Sequence, residues 1–278
     1  HPFLATSTLG EVLGKSGRWA GERRAQLVRL GLLRVVPTEE LPRSVGGVEA
    51  LLELNLAGLT RLSASVGLSL AVAVRHHGLA GGGPDTPVGP RRVLLRHLEH
   101  TLGADAVFAA IASSARRQRN GELLEWRNAV ACAHGRMRPD GYGLLRIGRR
   151  EYGFFLEFDR GTVRPAPLRA KFAAYHRYRI SAAAARQYDG FPTILVVTAG
   201  PGSEERIARA VRAADVGQGA PLPALVTTVD RIESYSHGMP ASIWRTPQSS
   251  ARSQWPAFPR SAAAKGPSRL TDGTGAER

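Results

Sequence analysis

Glu157 and Asp159 stand two residues apart in the run GFFLEFDRG, a stretch apolar enough to be a buried strand. Side chains alternate faces along a strand, so these two carboxylates point one way while Phe154, Leu156 and Phe158 point the other. Desolvation penalises charge on a buried face, so acids kept there need partners. Just upstream, RIGRRE supplies a two-residue hairpin turn with Gly148 at its first central position, as a type II′ turn requires. Ile147 then pairs with Arg150, and counting outward sets Asp140 opposite Glu157 on the same face. Carboxylates gathered in this way repel and raise one another's pKa unless a cation sits among them, and oxygen donors of this kind suit Mg²⁺ or Mn²⁺.

Only Lys15, Lys171 and Lys265 are lysines among 38 Lys and Arg residues. In a chain that writes Arg nearly everywhere, a retained lysine is informative, because guanidinium does not replace a compact ammonium in proton or phosphate chemistry. Lys171 and Tyr175 are spaced four apart on the next helical stretch and share a face. If that helix packs back across the sheet, Lys171 reaches the acids. Asp140 and Glu157 are then the catalytic and metal-binding pair, Asp159 a third metal ligand, Lys171 the group that serves the phosphate, and Tyr175 an accessory. These are the parts of metal-assisted phosphodiester hydrolysis. The same residues also fit an arrangement without chemistry, in which Asp159 caps the turn at RGT and Glu157 pairs with an arginine. A longer hairpin loop would break the Asp140–Glu157 pairing.

The elements that must position these groups follow from periodicity. After helices in 91–120 come three strands (ELLEWRNAVA, RPDGYGLLRI and EYGFFLEFDRG), then a helix opened by Pro165 and Pro167, the apolar strand FPTILVVTAG, a helix and a last strand in PALVTTVDRI. This is an α/β domain with a central mixed sheet, expected over 91–236. GLAGGGPDTPVGP places a linker at 81–90, and the Pro/Ser/Ala-rich residues 237–278 read as a disordered tail. Residues 1–80 form a separate unit. Its opening order, a short helix, the turn KSG and a basic helix, is that of a helix-turn-helix, with LLRVV opening a wing and VEALLELNLAGLTRLSASVGLSLAVAV helical but broken near Gly58 and Gly67. Arg18, Arg23, Arg24 and Arg29 would contact phosphates. An ordinary helical hairpin with a solvated charged face fits the spacing equally, and the basic charge tips the choice toward DNA.

The formal net charge is +15, which favours a polyanionic partner, double-stranded DNA first and an anionic membrane surface second. No apolar run is long and clean enough for a membrane span, and no basic amphipathic helix carries convincing aromatic anchors, so no membrane is expected. The single Cys132 excludes an internal disulfide and fits a reducing cytoplasm. The chain begins at His1 rather than Met, so residues before it are expected. His97 and His100, three apart on a helix, could hold a metal but read as a solvated face.

With RPDGYG, FFLEFDRGT and KFAAYHRY following a helix-turn-helix-like start, the chain resembles the replication-relaxation family of bacterial and plasmid proteins over most of residues 1–235. The resemblance implies a winged-helix-like N-terminus and a restriction-endonuclease-like, PD-(D/E)xK-type domain of order αβββαβ. That superfamily's first motif matches Pro139-Asp140. Its second matches Glu157 at the acid, while Asp159 occupies the lysine position and Lys171 stands as a lysine displaced to the helix. A role in plasmid replication or mobilisation is implied, with DNA and other replication or mobilisation proteins as partners. The alternative is a non-catalytic DNA-binding regulator or replication accessory on a degenerate nuclease fold. Tyr175, His176 and Tyr178 lack the companion histidine cluster that tyrosine-based strand transfer needs. An ammonium of Lys171 beside Glu157 favours the enzyme; one pointing to solvent favours the platform.

Overall fold

The computed structural model describes residues 3–42, 49–77, 95, 97–118, 120–234 and 241–255. The expected linker at 81–90, and the helix start at 91–94, lie outside the described residues.

The N-terminal unit contains β1 (Leu4–Ala5), α1 (Thr6–Leu13), α2 (Gly17–Arg29), β2 (Leu33–Val35), a 3-10 turn at Thr38–Glu40, β3 (Leu51–Leu54), α3 (Leu56–Val66) and α4 (Leu70–His77). Gly14 at φ 63° ends α1, and Ser16 caps α2 by accepting the amide of Trp19 at 3.2 Å. The three strands form an antiparallel sheet in the order β1-β3-β2. One expectation fails here. The stretch VEALLEL does not open a helix: Leu51–Leu54 is the central strand, paired with β1 through Leu4↔Leu52 and with β2 through Leu33↔Leu54. Leu51 and Leu52 are buried between two partners, and that tertiary pairing overrides their helix propensity. The helix starts only after Asn55, whose side chain accepts the Gly58 amide at 2.9 Å. It breaks at Gly67, where φ is 70°, but not at Gly58.

A long helix, α5 (Leu98–Arg116), joins this unit to the next. Leu98 packs with Phe3, Val36 and Leu51 in one small core, and α1 lies along α5. The Arg116 guanidinium donates to the carbonyls of Glu11 and Val12 at the end of α1. The two units therefore share buried surface.

The second unit continues with β4 (Glu122–Asn128), β5 (Gly141–Ile147), β6 (Arg150–Asp159), α6 (Pro165–Arg179), α7 (Ala182–Gln187), β7 (Thr193–Thr198), α8 (Pro201–Asp215), β8 (Ala224–Thr228), α9 (Val229–Ser234), β9 (Trp244–Arg245) and β10 (Arg252–Ser253). Its seven-stranded mixed sheet has the order β10-β9-β8-β7-β6-β5-β4, with β6, β7 and β8 parallel and the rest antiparallel. The β5–β6 hairpin has the expected register, Ile147↔Arg150 through Gly141↔Leu156, and Gly148 takes φ 62° in the turn. One sheet face packs Phe154, Leu156, Leu195 and Val197 under α5; the other packs Phe155, Ile194 and Val196 under α6 and α8. Close contact between α5 and β6 depends on Gly103, where a Cβ would lie 2.2 Å from the Phe158 ring. The disordered tail expected from 237 does not hold for 241–255: Trp244 and Trp255 are buried in the α5-side core, and their burial outweighs the Pro/Ser composition around them. No single helix among the described residues is long and apolar enough to cross a membrane.

Candidate functional site

Glu157 and Asp159 lie on the β6 face covered by α6 and α8, and both are buried. Asp140 sits one residue before β5, and its amide donates to the Leu156 carbonyl at 2.9 Å, which continues the ladder to the Glu157 level. Its carboxylate turns back onto β6, where Oδ2 accepts the Phe158 amide at 2.7 Å. Pro165 starts α6 at its first helical position, and the helix then carries Lys171 and Tyr175 over the acids. The Lys171 ammonium forms an ion pair with Glu157 Oε2, and the Tyr175 hydroxyl donates to Glu157 Oε1 at 2.6 Å. Asp140, Glu157, Asp159, Lys171 and His100 share the lining of a cleft of about 460 Å³. A larger hollow of about 730 Å³ between α1 and the β4–β5 strands is lined by Leu13, Arg116, Trp126 and Arg146, and its one acid, Glu122, is already paired with Arg146.

Electrostatics divide the acids. Burial, reinforced by the charge of Asp140, pushes the Glu157 carboxyl up to about 7 although Lys171 opposes the shift. Burial also works against charge on Asp140, but Lys171 and the hydrogen bond from His100 outweigh it and hold this carboxyl below its usual value. Lys171 is held above the ordinary lysine range because Glu157 and Asp140 overcome its desolvation. Burial and Glu157 raise the Tyr175 phenol well above its usual value, which makes it a donor rather than an attacking phenolate.

Three site expectations change. Asp159 is half engaged elsewhere: its Oδ2 accepts from Arg206 of α8 at 2.8 Å, while Arg206 also donates to the Gly161 carbonyl at 2.7 Å, and Asp159 Oδ1 is buried with no hydrogen-bond partner among the described residues. An arginine holds Asp159 rather than Glu157. Among the described residues no group of three His, Cys, Asp or Glu side chains is arranged to hold a metal. His100 is not a solvated-face residue, since its Nε2 lies 2.8 Å from Asp140 Oδ1 and its ring meets Phe158 edge to face. His97 is exposed at the rim.

Arg18, Arg23, Arg24 and Arg29 all lie on α2, away from the cleft lining. Arg18 and Arg29 project on one side, about 20° apart at 100° per residue, while Arg23 and Arg24 point elsewhere around the helix. Arg18 pairs with Glu22 at 2.9 Å and Arg23 donates to Gln26 at 2.6 Å, both in solvent.

Sequence reasoning missed Arg206 and the Arg160–Glu99 ion pair at the cleft mouth. No local pattern joins Arg206 to an acid 47 residues away. No local signal marked His100: it stands about 200° around the helix from Leu98, the side opposite that apolar residue.

Comparison with known proteins adds one match. The model of the family described as replication-relaxation matches residues 1–194, which include Asp140, Glu157, Asp159, Lys171 and Tyr175 but end before Arg206. No curated protein and no solved structure matches. With Asp140, Glu157, Lys171 and helices α5 and α6 inside that span, the chain belongs to the replication-relaxation family.

Proposed function

We propose that this replication-relaxation protein binds double-stranded DNA and cleaves phosphodiester bonds in the cleft between β6 and α6. The observation that carries the reading is the Lys171 ammonium lying on the Glu157 carboxylate beside Asp140, at the base of an open cleft. The order helix, three antiparallel strands, helix, strand supports a PD-(D/E)xK-like reading of this unit, with Asp140 and Glu157 at its second and third strands and the lysine displaced to the following helix. For the N-terminal unit, α1, a tight turn, basic α2 and the β2–β3 hairpin, with sheet order β1-β3-β2, support a winged-helix-like DNA reader. A setting in plasmid replication or mobilisation fits the family.

The donor set fits a hard divalent cation such as Mg²⁺ or Mn²⁺. Two carboxylates suffice for an ion that keeps several waters and takes substrate phosphate oxygens. Burial raises the Glu157 carboxyl although Lys171 opposes it, and a divalent cation beside it would favour its charged form. Asp140 and Glu157 would hold the ion, which supplies Lewis acidity and acidifies water. Lys171 stabilises charge on the phosphate, His100 orients Asp140, Tyr175 orients Glu157, and Asp159 braces the wall through Arg206. A second reading, a DNA-binding platform without catalysis, is favoured by one fact: each carboxylate oxygen of Asp140 and Glu157 already has a protein partner.

The test is nicking of supercoiled plasmid in Mg²⁺ or Mn²⁺ at fixed low salt, by wild type, Asp140→Ala and Lys171→Ala. Metal-dependent nicking lost by at least a hundredfold in both variants is the expected result. No nicking by wild type, with equal salt-sensitive DNA binding in all three, would leave the platform reading standing instead.

A further inference from the structure

The connection between β4 and β5 runs from 129 to 140, far longer than the roughly two to five residues of a common hairpin loop. It is nevertheless pinned inward. Asn128 accepts the amides of Val130 and Ala131, each at 3.1 Å, and Cys132 and Met137 are buried. The His134 ring stacks on Tyr178 of α6 at 4.5 Å, and a backbone bridge joins His134 to Met137. Tyr178 lies about two helical turns from Lys171, so the loop travels along α6 toward the acids and ends at Asp140.

This pinning leaves Arg136, at the tip, and Arg138, two residues before Asp140, exposed. Three guanidiniums of neighbouring elements are neutralised, Arg127 by Glu125, Arg160 by Glu99 and Arg206 by Asp159. Among the described residues Arg136 and Arg138 form no ion pair. Ordering such a loop costs backbone entropy, and here it holds two uncompensated cations beside the cleft of a chain that already carries +15.

We propose that the β4–β5 loop is a clamp on the phosphate backbone of duplex DNA, gripping the stretch next to the phosphodiester that enters the cleft. The inference rests on the DNA-binding reading of that cleft. Guanidinium forks match phosphate oxygens in pairs, and the rigid loop fixes where they bind.

Binding of a labelled duplex to the full chain, measured in EDTA across a salt series, separates this idea from cleavage. The double variant Arg136→Ala/Arg138→Ala should bind with a log K against log salt slope shallower by about 1.8, two phosphate contacts of about 0.9 each. Arg136→Lys/Arg138→Lys should keep the wild-type slope. Both side chains are exposed, so unchanged melting of the variants is the folding control. A wild-type slope in the alanine variant overturns the clamp while leaving DNA binding elsewhere on the chain intact. Wild type that binds no DNA sinks the DNA reading as well. Tighter binding to phosphatidylserine vesicles than to DNA, lost in the alanine variant, would reassign the loop to a lipid surface and overturn the proposal.

Discussion

Glu157 is the side chain on which the cleft's chemistry and its cost to folding meet. It is buried, touches Lys171 and Tyr175, and faces Asp140. Its carboxyl sits near 7 in the folded chain against an ordinary value of 4.5. The folded state therefore holds that proton more tightly, and this contribution to stability is complete below 4.5 and lost as pH rises toward 7. Asp140, shifted downward from 3.8, acts only below that value, and His100, shifted upward from 6.5, loses its contribution above it. Between 4.5 and 6.5 neither Asp140 nor His100 opposes Glu157, but burial shifts His76 and His134 down from 6.5, and their contributions rise with pH in the same window. Urea unfolding in EDTA across that window should show wild type losing stability relative to Glu157→Gln as pH rises, by an amount on the order of 1 kcal/mol or more; equal slopes in the two proteins count against the burial argument. At this scale much of the site was legible. Strand alternation and turn register placed Glu157 and Asp140 together, and the rarity of lysine marked Lys171. The Asp159–Arg206 pair was not legible, because it joins a strand to a helix through a packing angle that no local pattern encodes.

Helix α5 must lie close against β6 for His100 to reach Asp140, and Gly103 allows it. A methyl group there meets the Phe158 ring, so Gly103→Ala should destabilise by about 1–3 kcal/mol through overpacking. It should also weaken whatever activity depends on Asp140. Gly21, inside α2 with nothing within 4 Å of an added Cβ, behaves oppositely: Gly21→Ala should stabilise by up to about 1 kcal/mol through helix propensity alone. Thermal melting of the two variants checks the contrast, and equal shifts would contradict it. Among elements, the strands and helices of the second unit were readable because their periods are strong and their turns carry Gly or Pro. Leu51–Leu54 was not, because three leucines and a glutamate ahead of a helical pattern have no period of their own. Pairing with β1 and β2, elements remote in sequence, makes them a strand.

The whole molecule is closed at its far edge by residues 241–255. Arg245 donates to Glu204 at 2.8 Å and to Glu205 at 3.0 Å, and Arg252 reaches Glu204 at 2.8 Å, so the segment is tied to the first turns of α8. Trp244 and Trp255 fill the core under α5. Truncation after residue 240 should therefore cost more than the roughly 3–5 kcal/mol of a single buried Trp→Ala change, a large share of a domain's stability. Chemical denaturation of the full and shortened chains reads this directly, and equal midpoints would refute it. Composition misled here because Pro and Ser flank the two tryptophans, and a window average hides two anchors. The joint between the units was equally hidden: the sequence shows a Gly/Pro stretch, whereas Leu98, Phe3 and Leu51 in one core make the contact.

That closing segment also sets an order of events during synthesis. The unit bearing α2 needs little more of the chain than α5 to complete its small core with Leu98. The cleft waits longer: Arg206, which braces Asp159, stands two residues beyond Glu204, the residue that Arg245 and Arg252 clamp. A ribosome that has not yet released residue 255 thus carries a nascent protein whose N-terminal core can close before its acid cleft is set.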